Sequence, residues 1–162
     1  MVIIAAVDRS DRSRKVVREA VSLGTAFGEP VHVVHSMTRS KFVDMGVRSA
    51  ESGDVIDIDD VREAARSVAD DAVERADLDG NENADPDTTG GGAAGPEIET
   101  VGVLGDPEDA IVDYADRKDA RYVVVLGRTE PLAAKALFGS VAQSILRNAP
   151  CSVVTPSVGG DD

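Results

Sequence analysis

The 162-residue sequence is poor in cysteine, lysine and aromatic residues, and each shortage removes a class of explanation. Cys151 is the sole cysteine, so an intramolecular disulfide is impossible and a cysteine-rich metal site is excluded. Tryptophan is absent and aromatics make up 3% of the chain, which leaves Val, Ala, Leu and Ile to build a core. No apolar run approaches the roughly 20 residues that cross a bilayer, and the short run after Met1 meets Asp8 and Arg9 at once. A soluble, cytoplasmic protein in a reducing compartment is expected. Positive charge is scarce as well: 17 Lys and Arg face 30 Asp and Glu, for a formal net charge of −13. Nucleic-acid phosphates call for the opposite sign. Lysine occurs only as Lys15, Lys41, Lys118 and Lys135. Such a composition suits a salt-adapted, halophilic acidic surface, because at molar salt the Debye length falls to ~3 Å and self-repulsion is screened; an ordinary acidic cytosolic protein is the other reading.

What is present is an alternation of apolar runs and helical periods. Val2 to Val7 is a continuous apolar run, the pattern of a strand covered on both faces. Val16, Val17, Ala20, Val21, Leu23 and Phe27 then recur at helical spacing, with Ser10 or Asp11 placed to cap the start and Gly28 the end. Val31 to Ser36 reads as a second buried strand, and Met37 to Asp57, lacking a clean period, as a loop. Val61 through Ala76 carries the strongest helical period, with Asp59 or Asp60 as cap. Asp77 to Glu97 has almost nothing to bury and reads as a mobile surface insertion. A third strand (Ile98 to Val103), a helix opened by Pro107 and ending near Arg117, a fourth strand (Tyr122 to Leu126), a loop from Gly127 to Phe138, a helix from Ser140 to Asn148 and a short strand from Ser152 to Thr155 complete the chain. Strands alternating with helices predict a doubly wound α/β fold, a five-stranded parallel sheet with helices on both faces; its order is expected to be 3-2-1-4-5, which alternation alone does not fix. One domain over 1–156, interrupted at 77–97 and followed by a disordered acidic tail at 157–162, fits the length.

In such a sheet the ligand crevice lies beyond the carboxyl ends of the strands where the winding reverses, here between the first and fourth. The loops that meet there are Asp8-Arg9-Ser10 and Gly127-Arg128-Thr129-Glu130. The first loop lacks glycine, so neither a GxGxxG fingerprint nor a GxxxxGK[ST] phosphate loop is present in its usual place. Gly139-Ser140 opens the last helix, whose free N–H groups and dipole favour an anion. Ser140 and Gln143 have the spacing of a capping box, which would satisfy some of those N–H groups with no ligand, and the two roles are compatible.

Val7-Asp8-Arg9-Ser10, Val33-Val34-His35-Ser36, Gly105 through Ile111, Tyr122 through Gly127, Phe138-Gly139-Ser140-Val141-Ala142 and Arg147 through Val154, taken together and in this order, resemble the universal stress protein family. The resemblance implies an adenine nucleotide alpha hydrolase-like fold and a stress-response regulatory role. It implies ATP or another adenine nucleotide as ligand, with Mg2+ as the ion that would accompany the phosphates. It places Ala6 and Asp8 by the adenine and ribose, Ser36 at the base and Gly105 on the ribose side. Gly127, Arg128, Gly139, Ser140 and Val141 fall at the phosphates. It also implies a homodimer joined through the last strand, 152–155. The sequence departs from the family's phosphate loop at Glu130, which stands where the second glycine is found, and the spacing to Gly139 is eight residues instead of nine. A carboxylate ~6 Å from a phosphate charge costs about 1–2 kcal/mol at intermediate dielectric, so a nucleotide-free dimeric scaffold with a degenerate loop stands as the alternative.

Other signals are weaker. Ser140, His35 and Asp8 could be imagined as a hydrolase triad, but no GxSxG elbow exists, and His35 reads as a strand-end residue bonded to backbone. No catalysis is expected. His32 and His35, three apart on a strand, point to opposite faces and cannot share a metal. Asp57-Ile58-Asp59-Asp60 lacks the glycine and spaced acids of a calcium loop, and Cys151 reads as a small buried hydrophobe.

Overall fold

The structure, a computed structural model, describes residues 1–53, 56–78, 95–127 and 139–156, apart from the side chains of 48–50. Along the chain run β1 (Val2–Ala6), α1 (Ser13–Phe27), β2 (Val31–Met37), α2 (Arg39–Ser52), α3 (Ile58–Ala76), β3 (Ile98–Leu104), α4 (Pro107–Arg117), β4 (Ala120–Val125), α5 (Ser140–Asn148) and β5 (Ser152–Val154). The strands form one parallel sheet in the order β3-β2-β1-β4-β5, as expected. Period-2 alternation explains the unbroken apolar runs: Ile3, Ala5 and Val7 pack with α1 and α3 on one face, while Ile4 packs with α4 and α5 on the other. Both faces of β1 are thereby dry, with Ile3, Ile4 and Ala5 fully buried.

Residues 37–57 were expected to be a loop, and α2 corrects that. Its apolar period is faint because the helix is anchored by few side chains. Phe42 and Met45 pack on Met37, Val61 and Ala65, whereas Val43 and Val47 stay 58% and 57% exposed. The caps also differ from expectation. Asp57, not Asp59 or Asp60, caps α3: its carboxylate accepts from the N–H groups of Asp59 and Asp60, and Asp60 answers by accepting from the Asp57 N–H at 2.9 Å. Neither Ser10 nor Asp11 caps α1, which starts after Arg12 with no side-chain cap; Ser10 is drawn instead to Asp8. Gly28 ends α1 in the left-handed conformation expected of it.

Strand limits shift slightly. β3 reaches Leu104, β4 runs from Ala120 to Val125, and β5 stops at Val154. In the stretch expected as an insertion, both described ends are tied to the fold: Leu78 packs against the α1/α3 core and the Glu97 carbonyl accepts from the Val31 N–H at 2.8 Å. Positions 79–94 and the tail at 157–162 lie outside the described residues.

Two positions fix how helices sit on the sheet. At Gly102 in β3, a Cβ would collide with the Arg62 carbonyl oxygen and stand 2.7 Å from the Arg66 nitrogen, so glycine sets the close approach of α3. On the other face, His32 of β2 is buried, with Nδ1 2.8 Å from the Tyr114 hydroxyl of α4 and Nε2 3.4 Å from Glu99. The partners assign the tautomer: Nε2–H faces the carboxylate and Nδ1 accepts from the phenol. Burial depresses the His32 pKa, more than Glu99 raises it, and burial pushes Tyr114 up to about 12.

Replacing Gly102 with Ala should lower stability by about 1–3 kcal/mol through overpacking against α3 backbone, read as a fall in melting temperature; an unchanged melting temperature would show that α3 can shift freely. A second expectation concerns acid. With the folded pKa of His32 below the unfolded value near 6.5, the unfolded chain binds more protons as pH drops through that region, and folding loses stability. Protonation of surface carboxylates acts in the opposite sense by relieving repulsion, so the informative quantity is a difference. Urea denaturation between pH 7.5 and 5 should give a smaller loss toward acid in His32→Gln than in the native chain, and equal losses would remove His32 from the account.

Candidate functional site

β1 pairs with β2 on one side and β4 on the other, Ala6 lying level with Val34 and Val125. The connections leave β1 and β4 toward opposite faces, so a crevice opens beyond their carboxyl ends. A cleft of about 490 Å³ occupies it, floored by Ala6, Val7, Val125 and Leu126. One wall is the β1–α1 loop with Asp8, Ser10, Arg12 and Ser13, beside His35 and Ser36 from β2. Pro107 and Ile111 of α4 and the start of α5, Gly139 to Ala142, complete the rim.

The β1–α1 loop is organised around one carboxylate. Asp8 Oδ1 accepts from the Ser10 N–H at 2.8 Å, the Ser10 hydroxyl at 2.6 Å and the Ser13 hydroxyl at 2.8 Å, while the Asp8 N–H donates to Ser13 Oγ at 2.9 Å. Partial burial raises the Asp8 pKa, but the donors of Ser10 and Ser13 and the nearby charge of Arg12 outweigh it, so the carboxyl titrates below its ordinary value and is ionised near neutrality. Behind the loop, His35 Nδ1 lies 2.8 Å from the Val7 carbonyl oxygen, which makes Nδ1 the donor and leaves Nε2 unprotonated. Burial lowers the His35 pKa more than that bond raises it. This is the backbone-bonded strand-end histidine expected from the sequence. Ser36 donates to the Gly105 carbonyl at 2.7 Å, and the Gly105 N–H donates to Met37 at 3.0 Å. Gly105 adopts φ +134°, a conformation that side-chain-bearing residues rarely take, and so turns the chain from β3 into α4.

At the opposite wall, α5 begins with Gly139 in an extended conformation and no side-chain cap. The capping box anticipated between Ser140 and Gln143 is not formed: Gln143 donates its N–H to the Gly139 carbonyl at 3.0 Å, and among the described residues nothing accepts from the N–H groups of Ser140, Val141 and Ala142. Those amides sit at the positive end of the helix dipole on the cleft rim, a donor set that fits a phosphate or another anion.

Of the residues singled out in the sequence, Ala6, Asp8, Ser36, Gly139, Ser140 and Val141 converge on this cleft. Gly105 stands behind Ser36, and Gly127 is buried just past β4; neither is part of the lining. Arg128 and Glu130 fall outside the described residues, as do Lys135 and Phe138. The sequence reading missed Ser13, which reads as the first turn of an amphipathic helix, and Arg12, which carries no motif. It also missed Pro107 and Ile111, visible beforehand only as a helix start. The imagined triad is not assembled, since the hydroxyl bonded to Asp8 in the first turn of α1 is Ser13 and the His35 donor is spent on Val7. Cys151 is half-buried against the α4/α5 core, with its thiol pKa raised by burial.

Comparison with known proteins agrees with this geometry. The model of the universal stress protein family matches residues 1–155. A universal stress protein of Methanothermobacter thermautotrophicus is 37% identical over 67 residues, which is 38% of this chain; the match spans 45% of that relative's length. Among solved structures, the universal stress protein from Archaeoglobus fulgidus is 29% identical, with 97% of this chain and 93% of that one covered at a TM-score of 0.62. The structure of the universal stress protein from the same organism in complex with dAMP is 26% identical, with 97% and 98% covered at a TM-score of 0.58. The sheet order and these matches are those of the adenine nucleotide alpha hydrolase-like fold. A match from residue 1 to 155, spanning every described element, leads to one conclusion: the chain belongs to the universal stress protein family.

Proposed function

We propose that this chain is a stress-response regulatory protein that binds an adenine nucleotide, ATP among them, across the cleft between β1 and β4. The adenosine end lies at Ala6, Asp8 and Ser36, with Gly105 behind them, and the phosphates lie at Gly139, Ser140 and Val141, with Gly127 and Arg128 as further phosphate contacts in this reading. Mg2+ would neutralise charge among the phosphates. The observation that carries this reading is the uncapped start of α5: N–H groups without acceptors, facing a cleft large enough for a nucleotide, would otherwise rely on water alone. The complex of a relative with dAMP supports the choice of an adenine nucleotide.

Occupancy, not turnover, is the output in this reading. The one histidine in the cleft has its donor committed to backbone, and its other nitrogen has no hydroxyl partner among the described residues. The readout would be the loops that the ligand ties together, or pairing of a second copy along β5, which is the sheet edge beside β4. A cytoplasmic site of action suits this role, and among the described residues no helix is long and apolar enough to cross a membrane.

Titration calorimetry with ATP and AMP at high salt should give saturable binding. Ser140→Pro tests the phosphate contact: proline suits the first position of a helix, the extended Gly139 tolerates a following proline, and the change deletes one N–H. Affinity should fall about 10-fold or more relative to Ser140→Ala, the worth of a hydrogen bond to a charged group, with an unchanged melting temperature. Absence of binding at millimolar nucleotide in the native chain would overturn the proposal in favour of a nucleotide-free scaffold.

A further inference from the structure

We propose that the adenosine end of the cleft carries a second anion subsite, centred on Arg12 and assisted at longer range by Arg9 and Lys41, which selects adenine nucleotides bearing a phosphate on the ribose 2′ or 3′ oxygen. The inference rests on the nucleotide reading above and names the ligand class more narrowly.

Arg12 is half-buried and lines the cleft. Among the described residues its guanidinium has no hydrogen bond or ion pair; its one recorded interaction is the through-space pull on Asp8. A guanidinium has five N–H donors in a planar fork matched to phosphate oxygens. Partly withdrawn from water and unspent, those donors are available to a ligand. Asp8 Oδ1 is taken up by Ser10 and Ser13, and among the described residues no hydrogen bond or ion pair joins Arg12 to Asp8.

Two further cations, both exposed, stand outside that lining. Arg9 and Lys41, from the β1–α1 loop and α2, both act electrostatically on His35, which lines the same cleft. Against these three positive charges stands the Asp8 carboxylate, whose charge is spread over its donors; the neighbouring Asp11 lies 4.0 Å from Arg75 instead. Among the described lining residues Arg12 balances Asp8, and the longer-range fields of Arg9 and Lys41 add positive potential beside them in a chain of net charge −13. The α5 amides lie across the cleft and serve the 5′-phosphate, so a second cationic corner beside the ribose carboxylate calls for a second phosphate on the sugar. In dinucleotide sites an acid selects the free ribose hydroxyl and an arginine accommodates a phosphate on the sugar, so here Arg12 has to outweigh the repulsion from Asp8.

The test is calorimetric titration of the full chain with AMP, ADP, adenosine 3′,5′-bisphosphate and adenosine 2′,5′-bisphosphate at fixed ionic strength. ADP carries the same added phosphate at the opposite end and controls for charge alone. One of the two bisphosphates should bind at least about 10-fold tighter than AMP, the worth of a charge-assisted contact. In Arg12→Gln the preference for that bisphosphate over ADP should fall about 10-fold, and Lys41→Gln should reduce it by a smaller factor. Arg12 precedes α1 and its side chain makes no hydrogen bond or ion pair among the described residues, and Lys41 is exposed, so melting temperatures of both variants should match the native chain. If AMP and ADP bind but neither bisphosphate exceeds AMP, or if the preference survives Arg12→Gln, the subsite is overturned while the nucleotide site stands. If none of the four binds, the nucleotide reading itself fails and the subsite with it.

Discussion

Parallel pairing of β1 with β2 on one edge and β4 on the other is the constraint from which the remaining features follow. Parallel neighbours cannot be joined by tight turns, so each connection crosses a face as a helix. The crossovers from β1 through α1 and from β4 through α5 diverge, and the sheet is left with a gap at its carboxyl edge that no side chain of the core fills. Polar groups gather there because the main-chain donors at a helix start must meet water, a cap or a ligand. At α1 the loop is closed internally by Asp8 and Ser13, whereas α5 is left open. One wall is therefore finished and the other is waiting for an acceptor, which is an asymmetry suited to an anion at one end and a polar, hydrogen-bonding moiety at the other.

Most of the fold was legible in the sequence because its physical causes are local. Apolar runs such as Val2 to Val7 can be nothing but covered strands in an alternating chain, and Pro107 and Gly28 punctuate helices by backbone geometry alone. α2 was not legible. It is held by Phe42 and Met45 against α3 and β2, a tertiary contact that leaves no periodic trace, and its exposed Val43 and Val47 spoil the polar face a pattern search requires. The caps of α1 and α3 were displaced for a similar reason: Ser10 has a better partner in Asp8, and Asp57 with Asp60 forms a reciprocal pair that one-residue shifts in sequence cannot distinguish.

The site was half legible. Glycine and serine at the start of α5 mark an anion-friendly helix end by residue type, and the winding rule brings Asp8 across from them. Ser140 and Gln143 showed the spacing of a capping box, yet the side chains do not close it, and spacing alone could not tell which N–H groups remain free. Arg12 and Ser13 escaped because their significance comes from where the loop after β1 points, a position held by the bond between Val7 and His35 of the next strand, β2, a contact that spacing does not reveal. Conversely, the loop from Gly127 onward was read with the most chemical detail, and it is the part of the site the structure describes least, with Arg128 and Glu130 outside the described residues.

The central claim is that the free amides opening α5 receive a phosphate. Backbone amide chemical shifts report on it residue by residue, without dependence on any substitution. Titrating the 15N-labelled protein with AMP should move the Ser140, Val141 and Ala142 resonances strongly, and titrating with adenosine should move those near Asp8 and Ser36 while leaving the α5 amides in place. Equal movement of the α5 amides with both ligands, or movement confined to other surfaces, would contradict the account.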